Sequence, residues 1–133
     1  MNSDDFFALE DLDKKEKWIV IGGGYIGIEL AQILTGFGIE VDLIIRGKPL
    51  KFIDDDIMDI WASSTGEHLK VFTQTPHEKV TKDAEGKLTV HCAGGKTFEG
   101  HKVLVALGRP PNLAPLGLDK TSIQVENGAI KVD

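Results

Sequence analysis

The run from Lys17 to Ala31 constrains the fold more than any other part of this chain. Trp18 to Ile21 form a short apolar run suited to a strand covered on both faces, and Ile26, Leu30, Ile33 and Leu34 then recur at helical spacing. Between them Gly22, Gly24 and Gly27 satisfy G-x-G-x-x-G. In a dinucleotide site the first glycine permits the tight turn, the second lets backbone approach a pyrophosphate, and the third lets the helix pack on the strand. Free N–H groups and the helix dipole at such a start favour an anion. The same turn also occurs in methyltransferases and as plain turn chemistry. Here a second strand, Glu40 to Ile45, follows the Gly36-Phe37-Gly38 break and completes a βαβ unit of the expected length.

Charge and cysteine content narrow the function classes. Fifteen basic and twenty-one acidic residues give a formal net charge of −6, which argues against a nucleic-acid surface or an anionic membrane partner. No stretch approaches the roughly 20 apolar residues of a membrane span, and the polar start lacks a signal-peptide layout, so a cytoplasmic protein is expected. One cysteine, Cys92, excludes an internal disulfide and a self-contained dithiol site. It reads as a small apolar filler. The 133 residues suit one domain that buries about two thirds of its unfolded surface.

Taken in order, residues 1–16 read as a lead-in linker in which Ser3, Asp4 and Asp5 cap a helical turn and Phe6, Phe7 and Leu9 remain as anchors for a neighbouring surface, with Phe6 and Phe7 exposed. After the second strand comes a basic turn, Arg46 to Lys51, and then Asp54, Asp55 and Asp56 as the N-cap and first turn of a second helix ending near Gly66. The three aspartates lack calcium-loop spacing and its central glycine. Leu69 to Phe72 read as a third parallel strand. Residues 78–81, 88–92 and 96–98 alternate as an antiparallel meander, and Val103 to Ala106 as the last buried strand. His68, His77, His91 and His101 lack metal-ligand spacing, and no metal site is assigned.

The cofactor preference is written at the end of the second strand. NAD readers place a carboxylate about 20 residues beyond the glycines for the ribose hydroxyls, whereas NADP readers place a cation for the 2′-phosphate. That position is Arg46, Lys48 and Lys51 lie in the same turn, and no acid occurs from Leu43 through Lys51. A guanidinium fork matches a phosphate, so NADP is preferred if a dinucleotide binds. The bland alternative is a solvated basic turn.

The chain resembles the NADPH-binding domain of glutathione-reductase-like, FAD-dependent pyridine nucleotide-disulfide oxidoreductases. The resemblance rests on Ser3 to Phe7, on Gly22 to Glu29 against G-x-G-Y-I-G/A-x-E, on Ala106 to Asn112 against A-x-G-R-x-P-N, and on Gly128 to Asp133. It implies that NADPH delivers a hydride to FAD, which then reduces an active-site disulfide. It also implies that Tyr25 covers the nicotinamide pocket, that Glu29 lies near the ring and that Ile26 belongs to the cofactor site. Leu107, Gly108 and Arg109 belong to a loop at the cofactor. From the residues alone, Tyr25 reads as a packed aromatic and Glu29 as a first-turn acid.

Where the family's NADP turn commonly has two arginines with a histidine after the first, this chain has Arg46, Gly47 and, after a one-residue shortening, Lys51. Gly27 stands where many NADP-specific relatives have alanine. The family's flavin domain, redox cysteine pair and carboxy-terminal His-Glu pair have no counterpart here, so no catalytic residue is assigned in this chain.

The expected fold is α/β, a Rossmann-like parallel sheet with flanking helices and an antiparallel β-meander crossover. Residues 17–107 form the nucleotide domain, and residues 108–133 form a loop and tail that re-enter a flavin domain. The expected function is NADPH binding within a homodimeric flavoprotein disulfide reductase from which this piece is excised. A stand-alone nucleotide-binding module and a domain of an NADH-dependent relative are the alternatives.

Overall fold

A computed structural model describes residues 1–65 and 69–132. The expected helix end near Gly66, His68, and the last residue of the 128–133 stretch lie outside the described residues. Four short strands form a parallel sheet in the order β3-β2-β1-β7: β1 (Trp18–Ile21), β2 (Val41–Ile44), β3 (Leu69–Phe72) and β7 (Lys102–Val105). Between β3 and β7 the chain makes a three-stranded antiparallel sheet of β4 (His77–Lys82), β5 (Leu88–Cys92) and β6 (Thr97–Gly100). The helices are α1 (Ser3–Phe7), α2 (Tyr25–Gly36) and α3 (Asp55–Ser64), and a hairpin of β8 (Val125–Glu126) and β9 (Ala129–Ile130) closes the chain. The mixed α/β architecture with a parallel sheet and an antiparallel meander is the one the sequence predicts.

The unbroken apolar run of β1 is explained by what lies above and below it. Trp18 and Val20 point into a cluster with Val41, Leu43, Leu69, Leu104 and the α2 residues Ile28, Leu30, Ala31 and Leu34, against which Trp61 of α3 also packs. Ile19 and Ile21 point the other way, onto Ile44, Val103 and the meander residues Val90, Cys92 and Phe98. Helices therefore cover one face and the meander covers the other, so the flanking helices lie on a single side.

Three expectations change. Phe6 is buried in the helix-side cluster, its ring edge-on to Trp18 at 6.0 Å between centroids, while Phe7 is 72% exposed. The lead-in segment is thus anchored from within the domain. The cap of α1 is Asn2, whose side chain accepts from Asp4 and Asp5 N–H while the Asp5 carboxylate accepts from Asn2 N–H; this is a capping box, with Asp5 in its third position. Ile33 is exposed and Ile28 is buried, because the buried stripe of α2 runs through Gly27, Ile28, Leu30, Ala31 and Leu34. Smaller shifts occur at strand ends, as β4 and β6 extend beyond the expected 78–81 and 96–98. Asp54 sits at the N-cap of α3 as expected, yet makes no capping hydrogen bond from its side chain.

At the opposite end of the sheet from the glycine turn, the buried Asp42 carboxylate pairs with Lys17 Nζ at 2.7 Å, and Glu40 is bonded by Lys70 Nζ at 2.8 Å. The Lys70 hydrogen bond holds the Glu40 carboxyl below its ordinary range. On β5, Cys92 is 1% exposed and burial pushes its thiol upward, with the nearby Glu78 charge adding to the effect. Cys92 is therefore expected to resist a thiol-specific disulfide reagent in the native protein and to react fully in urea. Rapid native labelling would show that the meander opens on its own.

Candidate functional site: a cleft at the carboxyl ends of the strands

Each glycine of the turn has a separate physical reason. Gly22 has φ +132°, a backbone region that side chains rarely enter, and a Cβ there would stand 2.2 Å from the Ala106 carbonyl oxygen. The close approach follows from the ladder, since Ala106 N–H donates to Ile21 O at 2.8 Å and Gly22 N–H to Ile44 O at 3.0 Å. Gly27 lies under the turn, where a Cβ would come within 2.3 Å of Gly22 O, so in this chain an added methyl would force the turn and α2 apart. Gly24 is different. It is the N-cap of α2 with no side-chain cap, has ordinary φ −86°, and faces open space. The first N–H groups of α2 are consequently left for an outside acceptor.

These N–H groups border a cleft of about 1040 Å³ at the carboxyl ends of β1, β2 and β7. Of the residues singled out from sequence, Gly22, Gly24, Tyr25, Ile26, Arg46, Lys51, Leu107, Gly108 and Arg109 line it. Gly27 and Glu29 do not. Gly27 is buried beneath the turn, and Glu29 is exposed one turn further along α2, past the first turn in which an acid would feel the helix dipole. Tyr25 is 59% exposed at the rim, so it is not a packed aromatic.

The basic turn closes one side. Leu50 N–H donates to Gly23 O at 2.8 Å, folding residues 46–51 back over the glycine turn, and Leu50 takes φ +41°, a strained value for a branched residue. Lys48 is occupied by the Asp55 carboxylate. Arg46 and Lys51 enter none of the ion pairs formed among the described residues. Two cations without a counter-charge among the described residues, beside an uncapped helix start, suit a polyanionic ligand.

On the other side, Arg109 Nη2 donates to Asp4 Oδ1 at 2.9 Å and to Ser3 Oγ at 3.0 Å. The chain start is held there as well, since Met1 N donates to Val103 O at 3.0 Å and Val105 N–H to Met1 O at 2.9 Å. Sequence reasoning missed Asn2, Ser3, Asp4, Phe52 and His77 as cleft residues. For Ser3 and Asp4 the contact with Arg109 spans more than 100 residues, and nothing local signals it. Among the described residues no cluster of His, Cys, Asp and Glu is placed to hold a metal, and no helix is long and apolar enough to cross a membrane.

Comparison with known proteins agrees with this architecture. The family described as pyridine nucleotide-disulphide oxidoreductase matches residues 1–133. A dihydrolipoyl dehydrogenase of Buchnera aphidicola is 33% identical over 138 residues, covering 99% of this chain and 29% of that protein. A glutathione reductase of Schizosaccharomyces pombe is 34% identical over 142 residues, covering 100% of this chain and 29% of that protein. Among solved structures, the HOCl-induced flavoprotein disulfide reductase RclA of Escherichia coli superposes with a TM-score of 0.85 at 26% identity, over 100% of this chain and 30% of RclA. The chain thus spans less than a third of each of these relatives, and by its match along the whole sequence it belongs to the pyridine nucleotide-disulphide oxidoreductase family.

Proposed function

We propose that this chain is the NADPH-binding domain of a flavoprotein disulfide reductase and presents NADPH to FAD held elsewhere in the full-length protein. The observation that carries the reading is the convergence in one cleft of the open Gly24 helix start with Arg46 and Lys51, which form no ion pair among the described residues. The α2 N–H groups take the pyrophosphate, Gly22 and Gly27 let the turn come that close, and Arg46 with Lys51 takes the 2′-phosphate. Leu107, Gly108 and Arg109 flank the nicotinamide half, with Arg109 held in place by Ser3 and Asp4. Tyr25, exposed at the rim, covers the pocket and swings aside, and the half-buried Ile26 lines the same cleft. Glu29 lies further along α2, outside the cleft wall, and reaches the nicotinamide only if the ring extends past Tyr25.

When bound, the reduced nicotinamide supplies a hydride and the flavin accepts it. The residues described here bind and orient; none acts on the disulfide. In the full-length protein residues 1–16 lead into the nucleotide domain at 17–107 and residues 108–133 lead back, within a cytoplasmic homodimer.

Calorimetric titration of the chain with NADPH and NADH at fixed modest salt tests this. NADPH is expected to bind at least about tenfold more tightly, as one charge-assisted hydrogen bond or more distinguishes the two. Equal affinities would reject the 2′-phosphate site, and absence of binding would reject the cofactor reading for this chain.

A further inference from the structure

Resting on that reading, we propose that His77 is an additional contact for the 2′-phosphate, supplied by the meander, and that it makes NADPH affinity rise as pH falls toward 6.5. Sheet order lays the cleft out as a row. The loop 107–109 lies beyond β7, the glycine turn beyond β1, Arg46 beyond β2, and the corner from Thr73 to His77 beyond β3. With the pyrophosphate on the glycine turn, the ribose that carries the 2′-group lies at the end of β2. The next element outward is the β3–β4 corner.

That corner is drawn against the basic turn. Thr75 N–H donates to Ile45 O at 2.9 Å and Gln74 N–H to Gly47 O at 3.4 Å, while Ala93 N–H holds Pro76 O from the meander side at 2.9 Å. Gln74 takes φ +50°, and the β4–β5 register shifts between His77 and Lys79, an irregularity of the kind that re-aims a side chain. The half-buried His77 thereby lines the same cleft as Arg46, Gly47, Lys48 and Lys51. Gly47 brings no side chain between them, and even a Cβ there would touch nothing within 4 Å.

His77 shares the cleft with the cations Arg46, Lys48 and Lys51 of the turn; Glu78 is next on its own strand, and the Cys92 thiol, which burial keeps protonated, is its register partner on β5. Lys48 is already neutralised by Asp55. A bound phosphate carrying nearly two negative charges favours the imidazolium form of a histidine beside it, and binding then takes up a proton. The phosphate itself loses charge near pH 6, so the useful window is pH 6.5 to 8.

The test is titration of the 133-residue chain with NADPH and NADH at pH 6.5 and 8, using wild type, His77→Ala and His77→Gln, with urea midpoints confirming that each variant folds. Wild type is expected to bind NADPH about fivefold more tightly at pH 6.5 than at pH 8, and NADH equally at both. His77→Gln, which donates without titrating, is expected to lose the pH dependence; His77→Ala is expected to weaken NADPH about tenfold at pH 6.5 and leave NADH unchanged. Equal weakening of both nucleotides in His77→Ala would mean contact with the adenine ring and would overturn the proposal, as would no change in either. No NADPH binding by wild type would overturn this proposal together with the cofactor reading, whereas normal NADPH preference with a flat pH profile overturns this one alone.

Discussion

Arg46→Glu is expected to weaken NADPH binding by about 100-fold or more while leaving NADH binding within about threefold of wild type. Two effects add. Removing the guanidinium deletes a charge-assisted interaction of about 1.5–3 kcal/mol. The new carboxylate then faces the 2′-phosphate with like charge. Arg46 is exposed at the cleft edge, so salt and water screen the repulsion and the total stays well below what a buried site would give. NADH is affected differently, because a carboxylate at the end of the second strand accepts hydrogen bonds from ribose hydroxyls. Since Arg46 makes no ion pair among the described residues, its replacement strands no protein charge, and stability should be unchanged. Calorimetry of both nucleotides with both proteins is the measurement. Comparable NADPH affinities would place the 2′-phosphate, if it is recognised at all, away from this turn.

Gly22→Ala should be the most damaging addition of a single methyl among the described glycines, lowering stability by about 3 kcal/mol or more, of which about 1–3 kcal/mol comes from backbone strain alone. The added Cβ would lie 2.2 Å from the Ala106 carbonyl oxygen, which cannot rotate away because Ala106 N–H is bonded to Ile21 O in the central ladder. Relief requires separating β1 from the end of β7. Against a typical domain stability of about 5–15 kcal/mol, this is a large fraction. Gly24→Ala is the control. With φ −86° and open space around it, Gly24 should accept a methyl with its urea midpoint almost unmoved, while NADPH affinity is expected to fall, since the methyl would fill the space that the proposed pyrophosphate contact needs. A Gly22→Ala protein with the wild-type midpoint would show that the turn is less tightly held than its geometry states.

Legibility in the sequence followed the range of the interactions. The β1 turn and α2 start are specified within a dozen residues by an apolar run, three glycines and helical spacing, so they read correctly. So did the end of α2, where Gly38 takes φ +83° and its N–H bonds back to Thr35 O at 2.9 Å. The meander was equally visible, because alternation and glycine turns are local. Helix faces were read less well. Ile26, Leu30, Ile33 and Leu34 share a stripe that drifts from the true buried one, and only the sheet beneath α2 decides between Ile28 and Ile33.

The sequence by itself therefore determined the βαβ unit, the cation in place of an acid after the second strand, and the order of elements as far as β7, all carried by neighbours in the chain, whereas the β8–β9 hairpin fell in residues read as loop and tail. Tertiary structure alone decided which distant groups share the cleft. Ser3 and Asp4 meet Arg109 across more than 100 residues, His77 joins Arg46 through a corner pulled in by backbone bonds, and Phe6 becomes core by meeting Trp18. Such pairings depend on how a parallel sheet places the far ends of its strands side by side, and no residue's own neighbours carry that information.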